Sequence, residues 1–152
     1  MLQVARLARR SLGDAADLVV SFLRSTASAD GGFGNRGGRR DLYYTPFALD
    51  GLIALDAAES AGGHAEATLA WLDALGDGGG LDFVHRCCLA RAWAAQPPES
   101  CPPERREAIA RGIAAHRAAD GGFSSRVAAD RGTAYGCFLA VNAHDEIGRA
   151  HV

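Results

Sequence analysis

Arg36, Arg39 and Arg40 crowd one Gly-rich stretch, and Asp41, Tyr43, Tyr44 and Thr45 follow directly. A guanidinium is a planar fork of donors that matches phosphate oxygens, so this cluster could hold a phosphorylated ligand at the entrance to a helix. The same residues have a structural use. Arg36 recurs as Arg126 in a second, similar loop, and a loop-bracing pair with Asp41 or Asp130 is the favoured reading of that recurrence. Asp30 and Asp120 each precede a Gly-Gly pair and are expected to cap backbone amides of their own turns. Metal and nucleophile chemistry has less to work with. Cys87, Cys88, Cys101 and Cys137 show no C-x-x-C spacing and read as small buried apolar residues. His85 stands beside Cys87 and Cys88, but neighbours on one helix do not converge on a metal, so a core histidine is expected. All 16 basic residues are Arg, which excludes a Schiff-base or P-loop lysine within this chain.

A repeated unit must position these residues. Asp30-Gly31-Gly32-Phe33-Gly34-Asn35-Arg36 returns as Asp120-Gly121-Gly122-Phe123-Ser124-Ser125-Arg126. Downstream, Asp41, Thr45 and Phe47 match Asp130, Thr133 and Tyr135, and a weaker copy lies at Asp77-Gly78-Gly79-Gly80-Leu81. Self-similarity of this kind marks stacked repeats that share a core. Each unit reads as helix, Gly-rich loop, helix, with repeats at about 14–60, 63–96 and 103–145. In the first, Asp14 is the expected N-cap of a helix carrying Ala15, Leu18, Val19, Phe22 and Leu23. Thr45 is the expected N-cap of the next, with Pro46 at its first position. Phe47, Ala48, Leu49, Leu52, Ile53 and Leu55 are too many for a narrow stripe, so that helix should be buried on more than one side. In the second unit Gly76 is a natural stop, and Pro97-Pro98 ends the helix from about Val84 to Ala95. In the third unit Thr133 opens the second helix. First helices carry more charge and suit an outer layer; second helices are more apolar and suit an inner one. The expected fold is all-α, three helical hairpins of an α/α toroid, with a plain α-solenoid as the alternative.

Composition sets outer bounds. The 152 residues are 48% apolar and 22% charged, a globular balance, and the net charge of -2 gives no pull toward nucleic acid or anionic membrane. No apolar run reaches the ~18 residues of a membrane span. Asp14 and Asp17 interrupt the apolar stretch after the N-terminal arginines, so no signal peptide is read, and the free cysteines suit a cytoplasmic location. The last seven residues, 146–152, break the helical pattern. The codons GAG-ATC-GGA-AGA-GCA-CAC-GTC of a common sequencing-adapter read translate to this heptapeptide, and the adapter continues into TGA. Residues 1–145 are then expected to be the native part of a longer protein, and the chain alone to be marginal or self-associating.

The D-G-G-F loop, followed by Thr, an aromatic and a small residue, resembles the α/α-toroid repeats of protein prenyltransferase β subunits and squalene/terpene cyclases. The resemblance runs from about Asp14 to Asn142. Gly31 to Leu52 is similar to the prenyltransferase repeat that supplies the zinc histidine: Gly-Gly, a basic linker, then Asp-x-x-His-Thr-x-aromatic-small-x-x-Gly-Leu. Asp41, Thr45, Phe47, Ala48, Gly51 and Leu52 match; Tyr44 holds the His position. Tyr43 stands where the family's Asp-x-Cys-Tyr motif places Cys, and Asp130-Arg131-Gly132 has neither Cys nor His. A phenol with a pKa of ~10 is mostly protonated and a poor zinc ligand. The Asp-x-Asp-Asp of squalene-hopene cyclases is also missing.

The resemblance implies half of a six-hairpin ring and a transferase that uses an isoprenoid diphosphate. It gives the diphosphate to Arg36, Arg39 and Arg40, and the isoprenoid wall to Tyr43, Tyr44, Phe47, Trp93 and Tyr135. For these residues a solvated loop and ordinary core packing are the competing readings. It implies zinc only where further repeats supply the ligands, and a second subunit or self-association through exposed apolar inner helices. A non-catalytic toroid serving as a binding or scaffold module is the alternative function.

Overall fold

A computed structural model describes residues 7–35, 37–58 and 63–149. Among these the protein is all-α, with seven helices: α1 (Ala8–Leu12), α2 (Ala15–Ser25), α3 (Thr45–Ala54), α4 (Gly63–Ala74), α5 (Phe83–Ala94), α6 (Pro103–Ala114) and α7 (Ala134–Arg149). A 3-10 turn spans Pro98–Ser100. Extended structure among the described residues is limited to three isolated antiparallel bridges: Ala27 with Phe33, Gly34 with Arg40 and Arg117 with Phe123. No described helix is long and apolar enough to cross a membrane. The chain forms two compact units, Met1–Asp73 and Ala74–Val152.

In the first unit α2 turns Ala16 and Val20 inward. They pack with Phe33 of the loop, Ala48 and Leu52 of α3, and Leu55 and Ala57 beyond it. The short α1 was not expected; Arg9 from it donates to the carbonyl of Leu55. Asp14 does occupy the N-cap position of α2, but its side chain makes no capping bond. α3 begins where Pro46 sets the first turn, yet Thr45 is not its cap. Tyr44 is the N-cap and contributes no side-chain bond. The Thr45 hydroxyl, 0% exposed, instead donates to the Asp41 carbonyl at 2.9 Å and accepts from the Phe33 amide at 3.0 Å. That amide is buried in the loop, and a buried N–H must find an acceptor.

In the second unit Asp82 caps α5 by accepting from the His85 amide at 2.9 Å. Eight of the twelve residues of α5 are buried, and α6 and α7 both pack on it. Arg91 of α5 and Glu146 of α7 form a largely buried pair at 3.0 Å. Residues 146–149 therefore continue α7 instead of breaking the helical pattern: Ile147 is buried one and two turns on from Ala143 and Ala140. Residues 150–152 of the tail lie outside the described residues.

The two D-G-G-F loops make the same backbone bonds. Ser28 N donates to Gly32 O at 3.0 Å and Ala118 N to Gly122 O at 2.8 Å; Gly34 N donates to Thr26 O at 2.7 Å and Ser124 N to His116 O at 3.1 Å. Beyond the Phe, the structural register departs from the sequence match. Asp41 N donates to Phe33 O at 2.9 Å, and its counterpart is Thr133 N to Phe123 O at 2.8 Å. The Phe123 amide is held by Cys137 Sγ at 3.3 Å. Asp41 thus corresponds to Thr133, and Thr45 to Cys137, because the second loop is longer between its Phe and this anchor. Thr133 is free to cap α7, accepting from Gly136 N at 2.9 Å. The third copy is only a turn: Asp77 accepts from Gly79 N at 2.9 Å, and Arg86 ties it to α6 by donating to Gly78 O at 2.9 Å and Gly112 O at 3.0 Å.

Thr45→Val removes the acceptor of a buried amide and should cost about 1–3 kcal/mol in urea unfolding, whereas Cys137→Thr, which installs the matching hydroxyl, should cost nothing. A Thr45→Val chain as stable as the parent would contradict this register. The amides of Gly122 and Gly132 hold the Asp120 carboxyl below its ordinary 3.8, and burial holds His144 below its ordinary 6.5. Both folded pKa values are depressed, so both contributions are complete above the unfolded values and disappear as pH falls through the folded ones. The urea midpoint should therefore decline below pH 6.5 and again below pH 3.8, and His144→Gln should flatten the upper leg only.

Candidate ligand-binding groove

In the first unit α2, the loop and the start of α3 line an open groove of about 870 Å³. Phe22 and Leu23 line it from α2 and Thr26 from its C-cap; Phe33, Gly34, Asn35 and Gly37 from the loop; Tyr44, Phe47 and Ala48 from the start of α3. Phe22 is 64%, Phe47 46% and Tyr44 45% exposed. Aromatic surface of this extent is ordinarily covered, and its grouping around one concavity marks a binding surface. α3 is thus buried through Ala48, Leu52 and Ala54 but open along the groove. Tyr43 meets Tyr44 edge-on at 5.4 Å and Phe47 at 5.5 Å.

The loop is held rigidly from behind by α4. Gly31 and Gly32 have φ of +94° and +69°; a Cβ would lie 2.3 Å from the Ala67 carbonyl at the first and 2.2 Å from the Trp71 ring at the second. Gly32 N donates to Thr68 Oγ1 at 3.0 Å, and His64 Nε2 lies 2.8 Å from Gly32 O. That acceptor requires the proton to be on Nε2. Phe33 is buried against the His64 ring at 4.8 Å. Glycine here is needed for both handedness and close approach.

The predicted arginines separate. Arg40 is engaged: it pairs with Asp30 Oδ2 at 3.0 Å, donates to the Asp30 carbonyl and lies over the Trp71 ring at 5.0 Å. Asp30 is therefore a partner of Arg40 and Ser28, not an amide cap, and the Ser28 hydroxyl and then Arg40 hold its carboxyl below the usual range. Asp120 does cap amides, those of Gly122 and Gly132, each at 3.0 Å. Arg39 is exposed, and its side chain has no hydrogen bond or ion pair among the described residues. Arg36 lies outside the described residues, and with it the expected pair with Asp41. Among the described residues no bond joins Arg126 to Asp130; in that loop Arg117 takes the bracing role, donating to Gly121 O at 3.1 Å and lying 5.1 Å from the Phe123 ring.

Of the predicted aromatic wall, Tyr43, Tyr44 and Phe47 come together. Trp93 belongs to the core of the second unit, under the guanidinium of Arg105 at 5.5 Å. Tyr135 is exposed on α7. Phe22 and Asn35 were missed. The signal for Phe22 was its spacing from Leu18, which puts both on the side of α2 opposite Ala16 and Val20. Asn35 had only its place in the loop.

Metal chemistry finds no donor set here. Asp41 Oδ1 accepts from the Tyr43 amide at 2.8 Å, its neighbours at the zinc positions are phenols, and among the described residues no three His, Cys, Asp or Glu side chains converge. These residues do not fit zinc. His85 is not a core histidine: it is half-exposed, with Nδ1 2.9 Å from Asp82 Oδ2. Cys87, Cys88 and Cys101 are buried, as expected, and Cys137 half-buried. Burial, then Cys88, pushes the Cys87 thiol up to about 12, which leaves it inert.

No protein-family model, curated protein or solved structure matches the chain. The groove must be interpreted from its own chemistry. The division of labour between the two described arginines gives a direct check. Arg40→Gln should lower the urea midpoint of the first unit, while Arg39→Gln should leave it unchanged. Equal effects would remove the distinction between a bracing and an available guanidinium.

Proposed function

We propose that the chain is built from the hairpins of a prenyltransferase-like α/α toroid and binds an isoprenoid diphosphate in the groove between α2 and α3. The open aromatic groove supports this reading: two of the five residues expected at an isoprenoid wall, Tyr44 and Phe47, line it together with Phe22 of α2, and Tyr43 packs against both Tyr44 and Phe47. A prenyl chain is a flexible hydrocarbon, and burying it against aromatic rings contributes about 25 cal/mol per Å² of apolar surface removed from water. Arg39 supplies an unpaired positive charge in the same loop, and a charge of that kind attracts an anionic head group over several ångströms. The free thiols fit a reducing, cytoplasmic setting.

A second reading, a binding module that performs no transfer, has its own support. Tyr43 and Tyr44 stand where a zinc-dependent transferase needs Cys and His, and Asp41 is engaged by a backbone amide. The binding step is common to both readings. The chemistry separates them, because transfer to a thiol requires that thiol to be ionised at the site.

Titration calorimetry with farnesyl and geranylgeranyl diphosphate tests the binding step, with inorganic diphosphate as the control. Saturable binding is expected for the prenyl ligands, and Phe47→Ala should weaken it about tenfold, the equivalent of 1.4 kcal/mol. Absence of binding, or binding that ignores Phe47→Ala, would contradict the proposal. Product formation from a cysteine-containing peptide with zinc present would favour transferase over module.

A further inference from the structure

We infer that Asn35 and Tyr44 are the head-group contacts of this groove, donating neutral hydrogen bonds to the oxygens that follow the hydrocarbon chain. The inference rests on the groove being the isoprenoid site. The polar side chains of the lining are Thr26, Asn35 and Tyr44. Thr26 Oγ1 donates to the Leu23 carbonyl at 2.8 Å, and the Thr26 carbonyl accepts from Gly34 N at 2.7 Å. Asn35 N donates to Arg39 O at 3.2 Å, and Asn35 O accepts from Gly38 N at 3.0 Å. Gly37 N donates to Asn35 Oδ1 at 2.8 Å. Among the described residues two side-chain donors of the lining have no protein partner: the Asn35 Nδ2 amide and the Tyr44 hydroxyl.

The orientation of Asn35 is fixed by its turn. Gly37 N–H is a donor, so the atom facing it must be the carbonyl oxygen, and the Nδ2 group occupies the other edge of the amide. Tyr44 is held edge-on by Tyr43 and is 45% exposed at the same groove. None of the lining residues carries a charge. A donor pair without a cation recognises acceptor oxygens rather than net charge. The groove should therefore select a hydrocarbon chain ending in oxygen, with the ester or hydroxyl oxygen nearest the chain as its contact. Arg39, exposed in the loop, adds long-range attraction for an anion without being part of the lining.

Calorimetric titration of the full chain with farnesyl diphosphate and with farnesol tests this, in the parent, Asn35→Asp and Tyr44→Phe. Asn35→Asp keeps the acceptor for Gly37 N, so circular dichroism and the urea midpoint should match the parent. It replaces the free donor by a carboxylate facing the ligand oxygens. Farnesyl diphosphate should bind about tenfold more weakly to Asn35→Asp, farnesol less affected, and Tyr44→Phe should weaken both by about threefold or more. A folded Asn35→Asp chain that binds farnesyl diphosphate like the parent overturns the assignment and puts the head group elsewhere, while leaving the groove as the isoprenoid site. A parent that binds neither ligand overturns the groove reading itself, and this inference with it.

Discussion

One hydroxyl, sealed from water, ties the first loop to the helix that follows it. Thr45 Oγ1 accepts from Phe33 N and donates to Asp41 O, so a single side chain fixes both ends of the Gly-rich segment. The need behind it is general: a loop of glycines folded back against α4 buries backbone amides that no regular ladder serves. Thr68 answers the same need for Gly32, and Cys137 answers it for Phe123 in the second loop. The shared frame of the two loops is thus a solution to backbone satisfaction. Its side-chain component varies between a hydroxyl and a thiol.

The groove depends on this anchoring. Phe33 can be driven under the loop, against His64 and the α2–α3 core, only because its backbone is pinned on both sides. With Phe33 as the floor, the residues above it stay apart and open: Phe22 on α2, Tyr44 and Phe47 on α3. Arg40 adds a brace between the Asp30 turn and Trp71. A rigid floor with exposed aromatic walls suits a ligand that is flexible when free, because the ordering falls on the ligand and not on the protein.

Much of the helical organisation was legible in the sequence, because Gly, Pro and the apolar spacing punctuate it strongly. Gly76 and Pro97-Pro98 end helices where expected, with φ of +59° at Gly76. The D-G-G-F copies announced equivalent loops, and the hydrogen bonds bear that out. The register beyond them was misread. Identity of residue type matched Thr45 to Thr133, whereas the backbone matches it to Cys137, since a thiol can replace a hydroxyl as acceptor and sequence similarity does not register that. Charge was misread for the same local reason. Arg40 and Arg39 are indistinguishable by type, and only the position of Asp30 and Trp71 makes one a brace. His85, placed in the core by its neighbours Cys87 and Cys88, instead turns to Asp82 at the helix start. At 146–149 the apolar residue Ile147 falls in step with the buried side of α7, so the helix runs on.

If the pinned loop holds open an aromatic groove for an isoprenoid chain, the ligand must touch the groove rings themselves. Isotope-filtered NOE spectroscopy of the labelled protein with unlabelled farnesyl diphosphate reads those contacts. Contacts are expected from the prenyl methyl groups to the rings of Phe22, Tyr44 and Phe47. Contacts to Trp93 or Tyr135 instead, or none at all under saturating ligand, would contradict an isoprenoid site in this groove.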